Sequence, residues 1–218
     1  MCVLQKNILE ALEKELSKPS WKHETINMGG VCDSYQPIES KLELTRDVLK
    51  LMIKYKNPII ISTKSSLILR DLDLIKELAE ITSVNIACTI TTLDDRIQKI
   101  IEPHASRSID RFKVLKKLKE ETKANVGVHL MPIIPYVTDS HENLDAIFHI
   151  ASDINVDYVL PGTLYLRGKT KPHFLNSIKE YDYSLYQQLY DLYRKGSLSK
   201  EYKKDVYTRI HSYRKKYN

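Results

Sequence analysis

The stretch VNIACTITT, residues 84–92, sorts its side chains into two sets. Successive side chains of an extended strand point to opposite sides. Ile86, Cys88 and Ile90 therefore share one face, and Asn85, Ala87, Thr89 and Thr91 share the other. The first face is apolar and suits packing against helices, while the second is polar. A sheet covered by helices on both faces reads as nearly continuous apolar runs. One mixed face instead predicts a curved sheet with helices outside and a ligand-lined inner side. The division recurs in NVGVHLM, where Val126, Val128 and Leu130 oppose Gly127, His129 and Met131. It recurs again in PIIISTK, where Ile59, Ile61 and Thr63 oppose Ile60, Ser62 and Lys64.

Outward from this stretch, apolar runs alternate with long amphipathic ones. Strands are predicted at 25–31, 58–64, 84–92, 125–133 and 158–166, with helices at 40–56, 71–81, 93–101, 106–123 and 141–153. Successive strands begin 26 to 41 residues apart, the length of right-handed strand–helix–strand crossovers. The reading is α/β: a partial parallel (β/α) barrel of about five strands over residues 1–168, with 169–218 a helical extension of the same domain.

Composition fits one globular domain, with 42% hydrophobic and 28% charged residues in 218. No run approaches the roughly 18–20 apolar residues of a membrane helix, and the first 25 residues read as a charged amphipathic helix, so a cytoplasmic protein with no membrane partner is expected. Cys2, Cys32 and Cys88 are too few and too scattered for a disulfide framework or a metal site. From Arg167 onward there are 13 Lys and Arg against 5 Asp and Glu, whereas the first 166 residues are slightly acidic at −2. Nine of the 14 tyrosines lie in that basic tail. Two readings follow. Tyrosines at helical spacing pack a C-terminal helix pair with solvated lysines outside, or the tail meets the phosphates and bases of a nucleic acid.

Parallel barrels and open parallel sheets place their chemistry at the C-terminal ends of strands. Gly29, Gly30, Cys32 and Asp33 fall after the first strand, Lys64 and Ser65 after the second, Thr89 and Thr91 on the third, His129 to Pro132 on the fourth, and Pro161 and Gly162 on the fifth. The glycine pair GGVC either makes a tight turn or offers bare backbone to a ligand. Lys64 either meets a ligand carboxylate or hydroxyl or is solvated. Asp71 and Asp73 sit in a first helical turn, where a carboxylate favours the helix dipole and needs no further role. Glu102, Arg107 and Arg111 read as a structural ion-pair cluster. His129 is a general base, a ligand or a hydrogen-bonded structural residue. No nucleophile elbow, zinc-protease motif or dinucleotide fingerprint occurs.

Taken together, GGVCDSYQPIE, LTRDVL, IISTKSSLILRDLDLI, ITTLDD, IEPHASRSIDR and MPIIP, in this order from about residue 5 to 168, resemble the spore photoproduct lyase-like branch of the radical SAM superfamily. The resemblance implies a six-stranded partial barrel that binds S-adenosylmethionine beside a 4Fe-4S cluster and cleaves it reductively to a 5′-deoxyadenosyl radical. It implies that Gly29, Gly30 and Cys32 lie near the methionine moiety and that Asp33 is among the cofactor-binding residues. Lys64 would reach the ribose or carboxylate region, Thr89 would contact the cofactor, and Leu130 to Pro132 would flank adenine.

The superfamily holds its cluster with a CxxxCxxC loop, and the sequence contains none; MCVLQKNILEALEKEL resembles the segment just downstream of that loop. The first barrel strand and the cluster ligands are thus expected to be missing, with no metal ligands left and the chain inactive alone. Three explanations stay open. The chain is truncated, or it is a short form that keeps the fold for binding nucleic acid or protein through its basic tail, or it works with a cluster-bearing segment and a reductant supplied separately.

Overall fold

A computed structural model describes residues 7–194 and 197–217, so Cys2 lies outside the described residues. Its sheet contains β1 (Ile26–Met28), β2 (Ile59–Thr63), β3 (Val84–Thr89), β4 (Asn125–Ile133) and β5 (Tyr158–Thr163), in the spatial order β1-β2-β3-β4-β5. All five strands are parallel. Ile26 of β1 registers with Ile59 of β2, and Ile59 with Val84 of β3. Each predicted strand is present. β1 is shorter than predicted because Gly29, at φ +91°, leaves the extended region and ends it.

The alternation that predicted the fold is visible in burial. In β2, Ile59, Ile61 and Thr63 are buried while Ile60 and Ser62 are half-buried; in β3, Ile86 and Cys88 are buried and Asn85 and Thr89 half-buried. Ala87 is buried despite its place on the polar face.

The chain divides into two compact units. The first comprises residues 1–89, 104–128 and 154–158. It contains α1 (Ile8–Leu16), α2 (Glu39–Leu42), α3 (Leu44–Tyr55), a 3-10 turn (Ser66–Asp71), α4 (Leu72–Ile81) and α6 (Ser108–Glu121). Leu49, Met52, Ile75, Leu78, Leu115 and Leu118 bury the apolar faces of α3, α4 and α6 in a core shared with Ile61 and Ile86. The helix predicted over 40–56 is two helices, broken at Glu43, whose φ is +51°. Asn57 is buried and ties the N-terminal segment to β2: it accepts from Trp21 Nε1 at 2.7 Å and donates to the Glu24 carbonyl at 3.1 Å.

The second unit comprises residues 90–103, 129–153 and 159–218. It holds α5 (Asp95–Ile101), α7 (His141–Asp153), α8 (Thr170–Tyr181), α9 (Tyr183–Leu192) and α10 (Lys200–Tyr217). Among the described residues the tail thus forms three helices instead of a pair. Leu166, Leu175, Ile178, Leu189, Tyr193 and Leu198 make its own apolar cluster. α10 packs on α7: the Tyr213 ring stacks on Phe148 with centroids 5.9 Å apart, and its hydroxyl lies 2.8 Å from His141 Nδ1. Tyr202 is half-buried and donates to Asp139 at 2.5 Å. Tyr181, Tyr183, Tyr190 and Tyr207 remain exposed. Among the described residues no helix is long and apolar enough to cross a membrane.

Candidate functional site

At the C-terminal end of β1 the chain turns around a cavity of about 680 Å³, within the ~300–1,000 Å³ range of small-molecule sites. Gly29, Gly30, Cys32 and Asp33 line it together with apolar side chains that include Ile8, Ile38 and Leu44. The two glycines have different reasons to be glycine. A Cβ on Gly29 would stand 2.0 Å from the Ser62 carbonyl oxygen, so its bare backbone lets β1 approach β2. A Cβ on Gly30 would meet nothing closer than Asn27 Nδ2 at 3.9 Å, so its backbone faces open space.

Asp33 fastens this turn to β2. Its Oδ1 accepts from the Tyr35 amide at 2.9 Å and from Thr63 Oγ1 at 2.8 Å, and its Oδ2 accepts from the Lys64 amide at 2.7 Å. Lys64 is half-buried and outside the cavity lining; its carbonyl accepts from the Ser106 amide at 3.0 Å. Ser106 Oγ in turn accepts from the Ser66 amide at 2.9 Å, so the TKSS and ASRS segments meet directly. Thr89 also lies outside the lining, and its carbonyl accepts from the wholly buried Arg111, which also donates through Nε to the Ser106 carbonyl at 2.7 Å.

Glu39 and Thr45 of the cavity lining belong to an ionic network centred on the buried Asp71, to which the sequence reading assigned no role. Asp71, at 0% exposure, accepts from Arg46 at 3.0 Å, from Arg70 Nε at 2.9 Å and Nη2 at 2.8 Å, and from the Tyr35 hydroxyl at 3.2 Å. Burial and the Asp71 charge raise the Tyr35 phenol well above its ordinary value, so it stays a donor. Glu39 accepts from Arg70 at 2.9 Å and from the Thr45 amide at 2.8 Å, which caps the start of α3 from a distance. The Thr45 hydroxyl donates to the Ser34 carbonyl at 2.8 Å. Arg46 also grips Asp73, at 2.9 and 2.6 Å, and holds its carboxyl down at about 2. Asp71 and Asp73 therefore do more than favour a helix dipole. Tyr35, Glu39, Thr45 and Arg46 lie within the segments that carry the family resemblance, which was the available signal.

The other two residues implied to touch a cofactor lie in the second unit. Leu130 is buried in β4, and Pro132 is half-buried after a cis Met131–Pro132 peptide bond. On the same strand His129 is half-buried, and burial lowers its imidazole below the ordinary value.

The Radical SAM superfamily model matches residues 4–147. The chain belongs to the radical SAM superfamily. Its relatives include uncharacterised proteins of Mycobacterium tuberculosis, 29% identical over 89% of this chain and 57% of that protein, and of Methanocaldococcus jannaschii, 30% identical over 85% and 65%. A third, from Acidianus two-tailed virus, is 34% identical over 75% of this chain and 53% of its own length. This radical SAM chain thus spans 53–65% of the length of these relatives. Among solved structures, a spore photoproduct lyase variant matches with a TM-score of 0.62 at 12% identity, over 97% of this chain and 63% of that one. Streptococcus suis SuiB bound to S-adenosylmethionine matches at 0.53 and 14%, over 83% and 41%. These likenesses show the radical SAM partial-barrel fold, here with five parallel strands.

The superfamily implies S-adenosylmethionine and a 4Fe-4S cluster. The described residues do not fit the cluster. Cys88 is wholly buried, and burial pushes its thiol up to about 12, the opposite of the thiolate a cluster iron needs. Cys32 is exposed, and among the described residues no three His, Cys, Asp or Glu side chains group as a metal site. The cavity does suit a small cationic zwitterion, since it joins the open backbone of Gly30 to the Asp33 carboxylate and an apolar wall.

Proposed function

We propose that this chain is the S-adenosylmethionine-binding part of a radical SAM enzyme of the spore photoproduct lyase-like branch, and that the cavity at the end of β1 receives the methionine moiety. The observation that carries the reading is the placement of GGVCD, inside the family-matched segment, around an open cavity at a strand's C-terminal end. Gly30 offers its backbone to the ligand's charged groups, and Asp33 faces the positive charge of ammonium or sulfonium while holding the turn against β2. Lys64, whose backbone N–H donates a hydrogen bond to Asp33 Oδ2, flanks that turn but lies outside the cavity lining, so its side chain is given no part in holding the ligand. The 4Fe-4S cluster that the superfamily implies would supply reducing power, and no described residue of this chain is assigned to hold it. Its ligands are not in these 218 residues, so cleavage is an activity of the cluster-bearing protein, and this chain contributes binding and orientation.

Calorimetric titration of S-adenosylmethionine into the chain tests the proposal. The expected Kd is weak, about 0.1–1 mM, because a cluster iron contributes to the grip in the complete site. Gly30→Val fills the open space above the turn without striking the fold and should abolish the heat of binding. Absence of binding at millimolar ligand, or binding indifferent to Gly30→Val, would overturn it.

A further inference from the structure

α10 carries a face that the fold does not use. Val206, Ile210 and Tyr213 are buried on the side that meets α7. On the opposite side Lys200, Lys204, Tyr207, His211 and Lys215 recur at spacings of three and four residues, which align them in one stripe about 22 Å long. All five are exposed. No acidic residue interrupts the stripe: Glu201 and Asp205 fall on its flank, and Asp205 lies 3.0 Å from Arg209 Nε. Among the described residues Lys200, Lys204 and Lys215 form no ion pair, in contrast to Lys216, which pairs with Asp145 at 2.8 Å.

We propose that this stripe binds single-stranded nucleic acid, the three lysines neutralising backbone phosphates and the Tyr207 ring stacking on a base. The charge is local, since the chain from Arg167 onward holds 13 basic and 5 acidic residues while the rest is slightly acidic. That concentration raises the polyanion affinity of the segment that carries α10. A bilayer surface fits poorly, because an interfacial helix inserts an apolar face and that of α10 is spent on α7. The exposed ring among the cations selects within the polyanions: a base of a single strand presents its π-face, whereas a duplex keeps its bases stacked on one another and an acidic peptide has none.

Fluorescence anisotropy with a labelled 20-mer of deoxythymidine, titrated with the full chain between 50 and 200 mM KCl, reads the proposal. Three phosphate contacts at about −0.7 each predict a slope of log K on log salt near −2. The exposed Tyr207→Ala should weaken binding about tenfold, and Lys204→Glu/Lys215→Glu should weaken it further and flatten the slope, with circular dichroism confirming that each variant folds. Absence of binding, unchanged affinity in both variants, equal affinity for a 20-base-pair duplex, or equal competition by polyglutamate would each overturn it. This surface stands independently of the S-adenosylmethionine reading.

Discussion

Gly29 and Gly30 are neighbours in sequence, yet alanine should have opposite effects at the two positions. At Gly29 the new Cβ would stand 2.0 Å from the Ser62 carbonyl oxygen and 3.0 Å from its carbon. Both are backbone atoms held in β2, so no rotamer change relieves the overlap. Gly29 also sits at φ +91°, where an L-residue is strained by about 1–3 kcal/mol. Forcing apart two packed strands adds about 1–3 kcal/mol. Gly29→Ala should therefore cost about 2–6 kcal/mol, a drop in Tm of roughly 5–20 °C for a chain of this size. Gly30→Ala meets open space and should lie within about 0.5 kcal/mol of the parent, or stabilise slightly by restricting the unfolded chain. Urea unfolding of both variants, followed by circular dichroism with m-values compared, measures the pair. If Gly29→Ala melts with the parent, β1 does not approach β2 as described, and the account of which glycine is left for a ligand fails with it.

Asp71→Ala strands Arg46, Arg70 and the Tyr35 hydroxyl around a buried gap and should cost about 3–5 kcal/mol, while Asp73→Ala at the exposed end of the network should cost about 0–1 kcal/mol in the same urea assay. Burial lowers the His129 imidazole, so as the pH falls below about 6.5 the unfolded chain takes up the proton first and stability is lost. The difference in stability between the parent and His129→Gln, measured from pH 7.5 to 5.5, should therefore move against the parent toward acid, and a pH-independent difference would refute the shift. Iodoacetamide at about pH 8 should modify Cys32 on the folded chain and spare Cys88, whose buried thiol is pushed up to about 12, as peptide mass mapping would show. Comparable native rates at the two cysteines would contradict the packing of β3.

Much of the fold was legible because the strands carry a period-two signal that tertiary packing preserved. Ile86 and Cys88 went to the core and Asn85 and Thr89 stayed half-buried, as their alternation required. Boundaries were less legible where backbone geometry intervened. Glu43 at φ +51° divides a helix whose apolar periodicity runs on without a break, and nothing in Glu43 announces a left-handed residue. In the candidate site, Gly29, Gly30, Cys32 and Asp33 converge on one cavity, whereas Lys64 and Thr89 lie outside its lining. The network around Asp71 escaped residue-level reading because the bonds that join its segments, Arg46 to Asp71, Arg70 to Glu39 and Tyr35 to Asp71, span 25 to 36 positions, and partnership at that range leaves no local pattern.

The clasp of Asp33 and Asp71 bears on dynamics as well as on packing. A surface turn of this length ordinarily opens by local fluctuation, well below the free energy of global unfolding. Here Tyr35 and Glu39 bond to Asp71 and Arg70 in the turn that enters α4, and Asp33 bonds to Thr63 and the Lys64 amide at the end of β2, so freeing residues 33–39 means breaking contacts with two other elements at once. Amide deuterium uptake across this segment should accordingly be as slow as that of the core strands, and the turn that lines the cavity would arrive at its shape before any ligand does.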